Sequence, residues 1–201
     1  MIDVYKIIKN TAVEGPGQRF CIWTQGCKKH CKGCFATETW ELGIGIKYSV
    51  EDLFEQIQQE TSIEGVTFLG GEPFEQAEEL SLLASLIKKD GLSVVCFTGY
   101  TIEELHNKKS PYVDKFLENI DLLIDGGFEE DKFDLSRPWV GSSNQRYWYL
   151  SNFYTPEVIN SCKNKVEARI SPNGRLDING MGDFKAIREK FCLQLGKNIV
   201  K

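Results

Sequence analysis

Phe20–Thr24 is a short apolar run bounded by polar residues and reads as the first core strand. Three similar runs follow, over 65–69, 92–97 and 120–124. Between them the apolar spacing changes to that of helices. Val50, Leu53, Phe54 and Ile57 predict a helix from Val50 to about Glu60, with Ser49 as N-cap and Asp52 completing a weak capping box. Leu80, Leu83, Ala84 and Ile87 share one face of a helix predicted over 74–89. Thr101 caps a short helix bearing Leu105, and a second short helix falls over 112–119. A short strand over 2–8 precedes all of these.

The order β-loop-α, β-α, β-α, β predicts an α/β protein with a parallel sheet. Every strand ends in polar or Gly-rich residues, and in such sheets ligands bind beyond the strand C-termini. After Ile124 the pattern changes. Residues 128–143 read as a loop, with Glu129, Glu130, Asp131 and Asp134 as a solvated face. Strands are expected over 144–150 and 165–170, and Asn173-Gly174 is a hairpin turn leading into 176–178. A terminal helix is expected from about Phe184 to Leu195. No repeat or interdomain linker is seen, so residues 1–201 are expected to form a single domain.

At 201 residues the chain is shorter than a typical closed eight-fold βα barrel of about 250 residues, so a barrel built on this pattern would be incomplete. The composition, 41% hydrophobic and 26% charged, is that of an ordinary globular protein. A net charge of −5 removes the basic footprint of a general nucleic-acid binder. No apolar run approaches a membrane span, and the N-terminus lacks the apolar core of a signal peptide. With seven Cys, an odd number, the expected setting is a reducing cytoplasm. Cys21 and Cys96 lie in apolar runs and read as buried small hydrophobes; Cys162 and Cys192 are isolated.

The candidate chemistry begins where the first core strand ends. Cys27, Cys31 and Cys34 are spaced C-x3-C-x2-C within eight residues. Thiolates that close can converge on one metal centre, and a cubane iron–sulfur cluster normally takes four Cys. Three from one loop leave an iron open, which distinguishes a reactive site from a closed structural one. Zinc with His30 or a distant Cys as fourth ligand is the alternative, and thiols without metal are another. The next strand ends in Gly70-Gly71-Glu72-Pro73. Upstream, Gly15-Pro16-Gly17 marks a tight loop, after which Arg19 reads most simply as a solvated turn residue.

Cys27, Cys31 and Cys34 followed by Gly70-Gly71-Glu72-Pro73 resemble the radical S-adenosylmethionine (SAM) superfamily. Within it the chain looks like the activating enzymes of glycyl-radical enzymes, the anaerobic (class III) ribonucleotide reductase group above all. The stretches Glu14–Arg19, Gln25-Gly26-Cys27, Glu38-Thr39-Trp40, Thr98-Gly99-Tyr100, Leu123–Gly126 and Gly141–Gln145 carry that resemblance. It implies a partial βα barrel, a [4Fe-4S] cluster on Cys27, Cys31 and Cys34, and SAM on the open iron. It implies SAM contacts from Gly33, Phe35, Gly70, Gly71, Glu72, Thr98, Tyr100 and Asp125, with Glu72 holding its loop as an alternative role. It implies a glycyl-radical enzyme as partner, approaching the Gly15–Gly17 loop and the strand after Gly141. Another small radical SAM enzyme, acting on a ribosomal peptide or a small metabolite, is the alternative. Lys28, Lys29, His30 and Lys32 make the cysteine loop basic, either as a solvated face or as a dock for an acidic electron donor such as flavodoxin.

Overall fold

The computed structural model describes residues 1–174, 176–183 and 187. Apart from Ile187, the predicted terminal helix lies outside the described residues, as does Cys192.

Four strands run parallel at the centre: β2 (Arg19–Thr24), β4 (Gly65–Gly70), β5 (Ser93–Phe97) and β6 (Leu122–Asp125). Their crossovers carry α1 (Val50–Gln58), α2 (Ala77–Lys89), α3 (Ile102–Asn107) and α4 (Pro111–Glu118). Antiparallel strands extend both sides: β1 (Ile2–Thr11) on β2, β3 (Ile46–Tyr48) on β1, and β7 (Arg146–Tyr149) on β6. The sheet order is β3-β1-β2-β4-β5-β6-β7. Its edge strands β3 and β7 do not pair, so this is an open α/β sheet and not a closed barrel. Next come α5 (Pro156–Ser161) and a separate hairpin of β8 (Val166–Ile170) and β9 (Leu176–Gly180).

The central strands read as continuous apolar runs because both faces are covered. Val94, Cys96 and Leu123 face a core with α1, α2 and α4, while Val95, Leu122 and Ile124 face a second core with Trp139, Val140, Tyr154 and Ile159. Cys21 and Cys96 are fully buried, and burial drives both thiols well above their ordinary pKa. Ser49 and Asp52 form the reciprocal capping box, and Thr101 with Glu104 forms a second one at α3. The helix predicted over 74–89 opens with a turn of 3-10 helix at Pro73–Gln76 before α2 begins.

Arg19 corrects the expectation of a solvated turn residue, because it is completely buried. It starts β2, beside Gly65 and one strand away from Ser93, at the N-terminal end of the parallel strands. A Cβ on Gly65 would lie 2.4 Å from Arg19 Nη1 and 2.2 Å from Ser93 O, so only glycine leaves room for the guanidinium.

Candidate active site

Because β2, β4, β5 and β6 are parallel, their C-terminal ends meet at one edge of the sheet. There, a cavity of about 500 Å3 is lined by Cys27, Cys31 and Cys34 from the loop after β2 and by Gly70, Gly71 and Glu72 after β4. Thr98 and Gly99 after β5 and Gly126 after β6 complete this end, and Phe35 and Phe128 flank it. Residues nearly 100 positions apart thus share one chamber.

The cysteine loop is held by main chain. Gly26 N–H donates to Thr39 O at 2.7 Å and Cys27 N–H to Trp40 O at 3.0 Å. This gives Glu38-Thr39-Trp40 a structural reason: it clamps the start of the loop. His30 turns the chain in the left-handed region (φ 45°) and stacks on Trp40 with ring centroids 4.6 Å apart. Its ring does not line the thiol cavity. Cys27 is buried, and Cys31 and Cys34 are half-buried. Burial pushes the Cys27 and Cys31 thiols above their ordinary pKa.

Among the described residues, no three His, Cys, Asp or Glu side chains converge tightly enough to ligate one metal ion. A cubane asks for something different, since each thiolate binds its own iron. Three thiols spread around one chamber, with no fourth Cys lining it among the described residues, fit that donor set with one iron left open.

The Gly70–Pro73 turn is packed against the cysteine loop. Glu72 N–H donates to Gly26 O and Gly71 N–H to Thr24 O, both at 2.9 Å. A Cβ on Gly71 would lie 2.5 Å from Gly26 O, so the close approach requires glycine. Glu72 is completely buried. Its Oε1 accepts from Phe74 N–H (3.0 Å) and the Thr98 hydroxyl (2.8 Å), and its Oε2 accepts from Gly99 N–H (2.8 Å). The carboxylate therefore ties the β4 turn to the β5 turn, in keeping with the loop-holding alternative.

Burial pushes the Glu72 carboxyl up to about 7 from an ordinary 4.5. A carboxyl raised on folding stabilises the protein below pH 4.5, and that contribution is lost as pH rises through 7. In Glu72→Gln the amide NH2 must face either Gly99 N–H or Phe74 N–H, a donor against a donor, at a cost of roughly 1–3 kcal/mol. The variant does not titrate. In urea unfolding of the metal-free protein, the stability of the wild type relative to this variant is expected to fall as pH rises from 4.5 to 7. A pH-independent difference would contradict the shift.

Three expected contacts lie elsewhere. Asp125 is buried, accepting Ile102 N–H at 2.8 Å and the Arg146 guanidinium at 2.6 and 3.0 Å. Tyr100 donates its hydroxyl to Glu75 at 2.5 Å and lies between Lys29 and Lys108, whose ammonium nitrogens are 4.7 and 3.7 Å from its ring centroid. Gly33 turns the loop at φ 77°, where a Cβ would meet Phe128 and Glu130. None of the three lines the cavity. The lysines of the basic loop are each ion-paired: Lys28 with Glu75, Lys29 with Glu104 and Lys32 with Glu130. The loop consequently carries little uncompensated positive charge.

Two parts of the site lie in stretches that the sequence singled out without giving their side chains a role. Gln145 accepts the Gly141 and Ser142 N–H groups and donates to Gly126 O, while Asn144 donates to Gly127 O. Gly127 sits directly behind Cys31 Sγ, 3.2 Å from where its own Cβ would be. The second part is Glu14, buried in the cavity wall, whose carboxylate accepts Gly180 N–H at 2.6 Å and Asn179 Nδ2 at 3.2 Å. Burial raises the Glu14 pKa. The Gly15–Gly17 loop itself does not line the cavity; Gly15 lies by Thr67 and Arg19, and Gly17 by Glu64.

Residues 13–148 match the 4Fe-4S single cluster domain family. The chain is 35% identical over 151 residues to the anaerobic ribonucleoside-triphosphate reductase-activating protein of Pasteurella multocida, covering 70% of this chain and 93% of that one. It is 33% identical over 142 residues to the protein of the same name from Vibrio cholerae, covering 66% and 88%. Among solved structures, QueE from Escherichia coli is 26% identical with a TM-score of 0.42, over 50% of this chain and 53% of that one. No helix among the described residues is long and apolar enough to cross a membrane.

Proposed function

We infer the function from one premise: the chain belongs to the 4Fe-4S single cluster domain family and, within it, to the anaerobic ribonucleoside-triphosphate reductase-activating proteins. It is a radical SAM activase whose partner is an anaerobic ribonucleoside-triphosphate reductase. Cys27, Cys31 and Cys34 would hold three irons of a [4Fe-4S] cluster. When bound, cluster and SAM together supply reductive cleavage of SAM to methionine and a 5′-deoxyadenosyl radical, which takes a hydrogen atom from a backbone glycine of the partner. The electron comes from an external low-potential donor, for which a flavodoxin is the proposed class.

The observation that carries this reading is the single cavity shared by three thiols and the Gly70–Glu72 turn. Gly70 and Gly71 would let main chain approach a ligand in the thiol-lined cavity without a side chain intervening. Thr98, fixed by its bond to Glu72, brings main-chain and hydroxyl groups to the same wall. Phe35 is 58% exposed and 5.7 Å from Phe128 between ring centroids, giving an apolar flank suited to a purine. Trp40, Glu72 and Gln145 keep these groups in place.

The test is anaerobic. The iron- and sulfide-reconstituted protein is reduced with dithionite and mixed with SAM and the anaerobic reductase of the same organism. Mass spectrometry is expected to find 5′-deoxyadenosine, and EPR a glycyl radical on the reductase. Deoxyadenosine without a radical on the reductase would assign the partner wrongly. No deoxyadenosine from a fully loaded cluster would overturn the chemistry.

A further inference from the structure

The family match ends at residue 148, yet the β8–β9 hairpin beyond it builds one wall of the cavity, through residues 177–181. Its register determines what that wall offers. Met181 N–H donates to Lys165 O at 2.9 Å, one step beyond the Val166–Gly180 pair. In an antiparallel pair, bonded and non-bonded positions alternate. Asn179 and Asp177 therefore bond to β8, whereas Gly180, Ile178 and Leu176 turn their main-chain groups outward. Gly180 shows this directly, since its N–H leaves the hairpin for Glu14. Ile178 is the next outward position along that edge and lines the cavity.

Asn179 stands beside it, 6% exposed. Its Nδ2 points to Glu14 Oε1 at 3.2 Å and Thr11 Oγ1 at 3.5 Å, and Thr11 donates in turn to Glu167 at 2.6 Å. This network fixes the amide and leaves Asn179 Oδ1, buried, with no hydrogen-bond partner among the described residues. A buried acceptor in that state is unfavourable, and a donor from a ligand relieves it.

We propose that the partner enzyme's glycine-bearing segment lies in the cavity as an added strand on the outer edge of β9. Ile178 exchanges main-chain hydrogen bonds with it, and Asn179 Oδ1 accepts a further peptide N–H. The proposal rests on the activase reading and says where the partner is held. A polypeptide main chain is the occupant because the edge presents alternating N–H and C=O groups at strand spacing, the pattern used in β-strand addition. The same cavity reaches the cluster thiols, so a strand seated here delivers its backbone to the reactive end.

Amide hydrogen exchange of the cluster-loaded wild type is read by NMR with and without the anaerobic reductase of the same organism. Exchange at Ile178 is expected to slow about tenfold or more on binding, while Gly180, already bonded to Glu14, serves as the unchanged reference. Ile178→Pro removes the outward N–H, which the hairpin ladder does not use, so an edge strand tolerates it. This variant is expected to need about five- to tenfold more reductase for half-maximal glycyl radical, with the maximal yield retained and Ile178→Val behaving as wild type. If the wild type forms the radical but Ile178 exchange is unchanged, or Ile178→Pro saturates at the wild-type concentration, the strand proposal fails alone. If the wild type cleaves SAM and puts no radical on the reductase, the activase reading fails and takes the strand proposal with it.

Discussion

Cys31→Ala is expected to lower 5′-deoxyadenosine formation by about a thousandfold or more, down to the level of the protein-free mixture. The reason is the number of ligands. Among the described residues only three thiols line the cavity, so each is expected to hold a separate iron and none is redundant. Removing one leaves two ligands for a cubane that normally has four, and the cluster is lost or reshaped. The fold has little stake in this side chain. Cys31 is half-buried in a loop, and the main-chain bonds that clamp the loop belong to Gly26 and Cys27. Thermal unfolding of the metal-free variant is therefore expected to match wild type, while absorbance at about 400 nm after reconstitution falls steeply. Cys162→Ala, outside the cavity, is the control and is expected to cleave SAM normally. Wild-type turnover by Cys31→Ala would remove Cys31 from the ligand set.

Arg19→Ala is expected to cost about 3–5 kcal/mol of stability, lowering the melting temperature by about 10 °C. All five guanidinium N–H donors are used. Nε donates to Thr67 Oγ1 (3.1 Å), Nη1 to Ser93 Oγ (2.6 Å) and Tyr154 OH (2.9 Å), and Nη2 to Val66 O (2.5 Å) and Ser93 O (3.2 Å). The charge is dispersed over neutral oxygens with no carboxylate in ion-pair range among the described residues. Burial lowers the Arg19 pKa for that reason. Truncation removes the fork that joins β2, β4, β5 and the Tyr154 segment, leaving buried oxygens unpaired. Arg19→Lys recovers only part of the loss, because one ammonium cannot match five fixed directions. Since Arg19 lies at the opposite end of the parallel strands from the thiols, variants that remain folded are expected to cleave SAM. A loss below about 1 kcal/mol in urea unfolding would mean that these bonds are worth little net.

The basic cysteine loop illustrates how far local composition carries. Four basic residues in five positions suggest a docking face for an acidic donor, but acidic partners come from distant elements: Glu75 before α2, Glu104 in α3 and Glu130 past β6. Of these pairs, Lys32–Glu130 is exposed on both sides and contributes little stability. They lower the net positive charge that the loop presents.

Some of this protein was fixed by short-range pattern. Apolar runs of strand length, helical spacing and the Ser49 and Thr101 caps specify the central β-α order, because each depends on neighbours a few residues away. The same order puts the Cys27–Cys34 loop, Gly70–Glu72 and Thr98 at one edge, since parallel strands share the direction of their ends. Whether Arg19 is solvated or buried is not a local property; it depends on Ser93 and Tyr154, 74 and 135 residues on. Asp125 looked like a ligand contact at a strand end until Arg146 folded back along β7 and took its carboxylate. The antiparallel additions β1, β3 and β7, and the return of β9 to Glu14 across 166 residues, were likewise decided only in three dimensions. A hydrogen-bonding group in a sequence announces what it can bind; only the fold, by choosing which partners arrive and which water is removed, decides what it does bind.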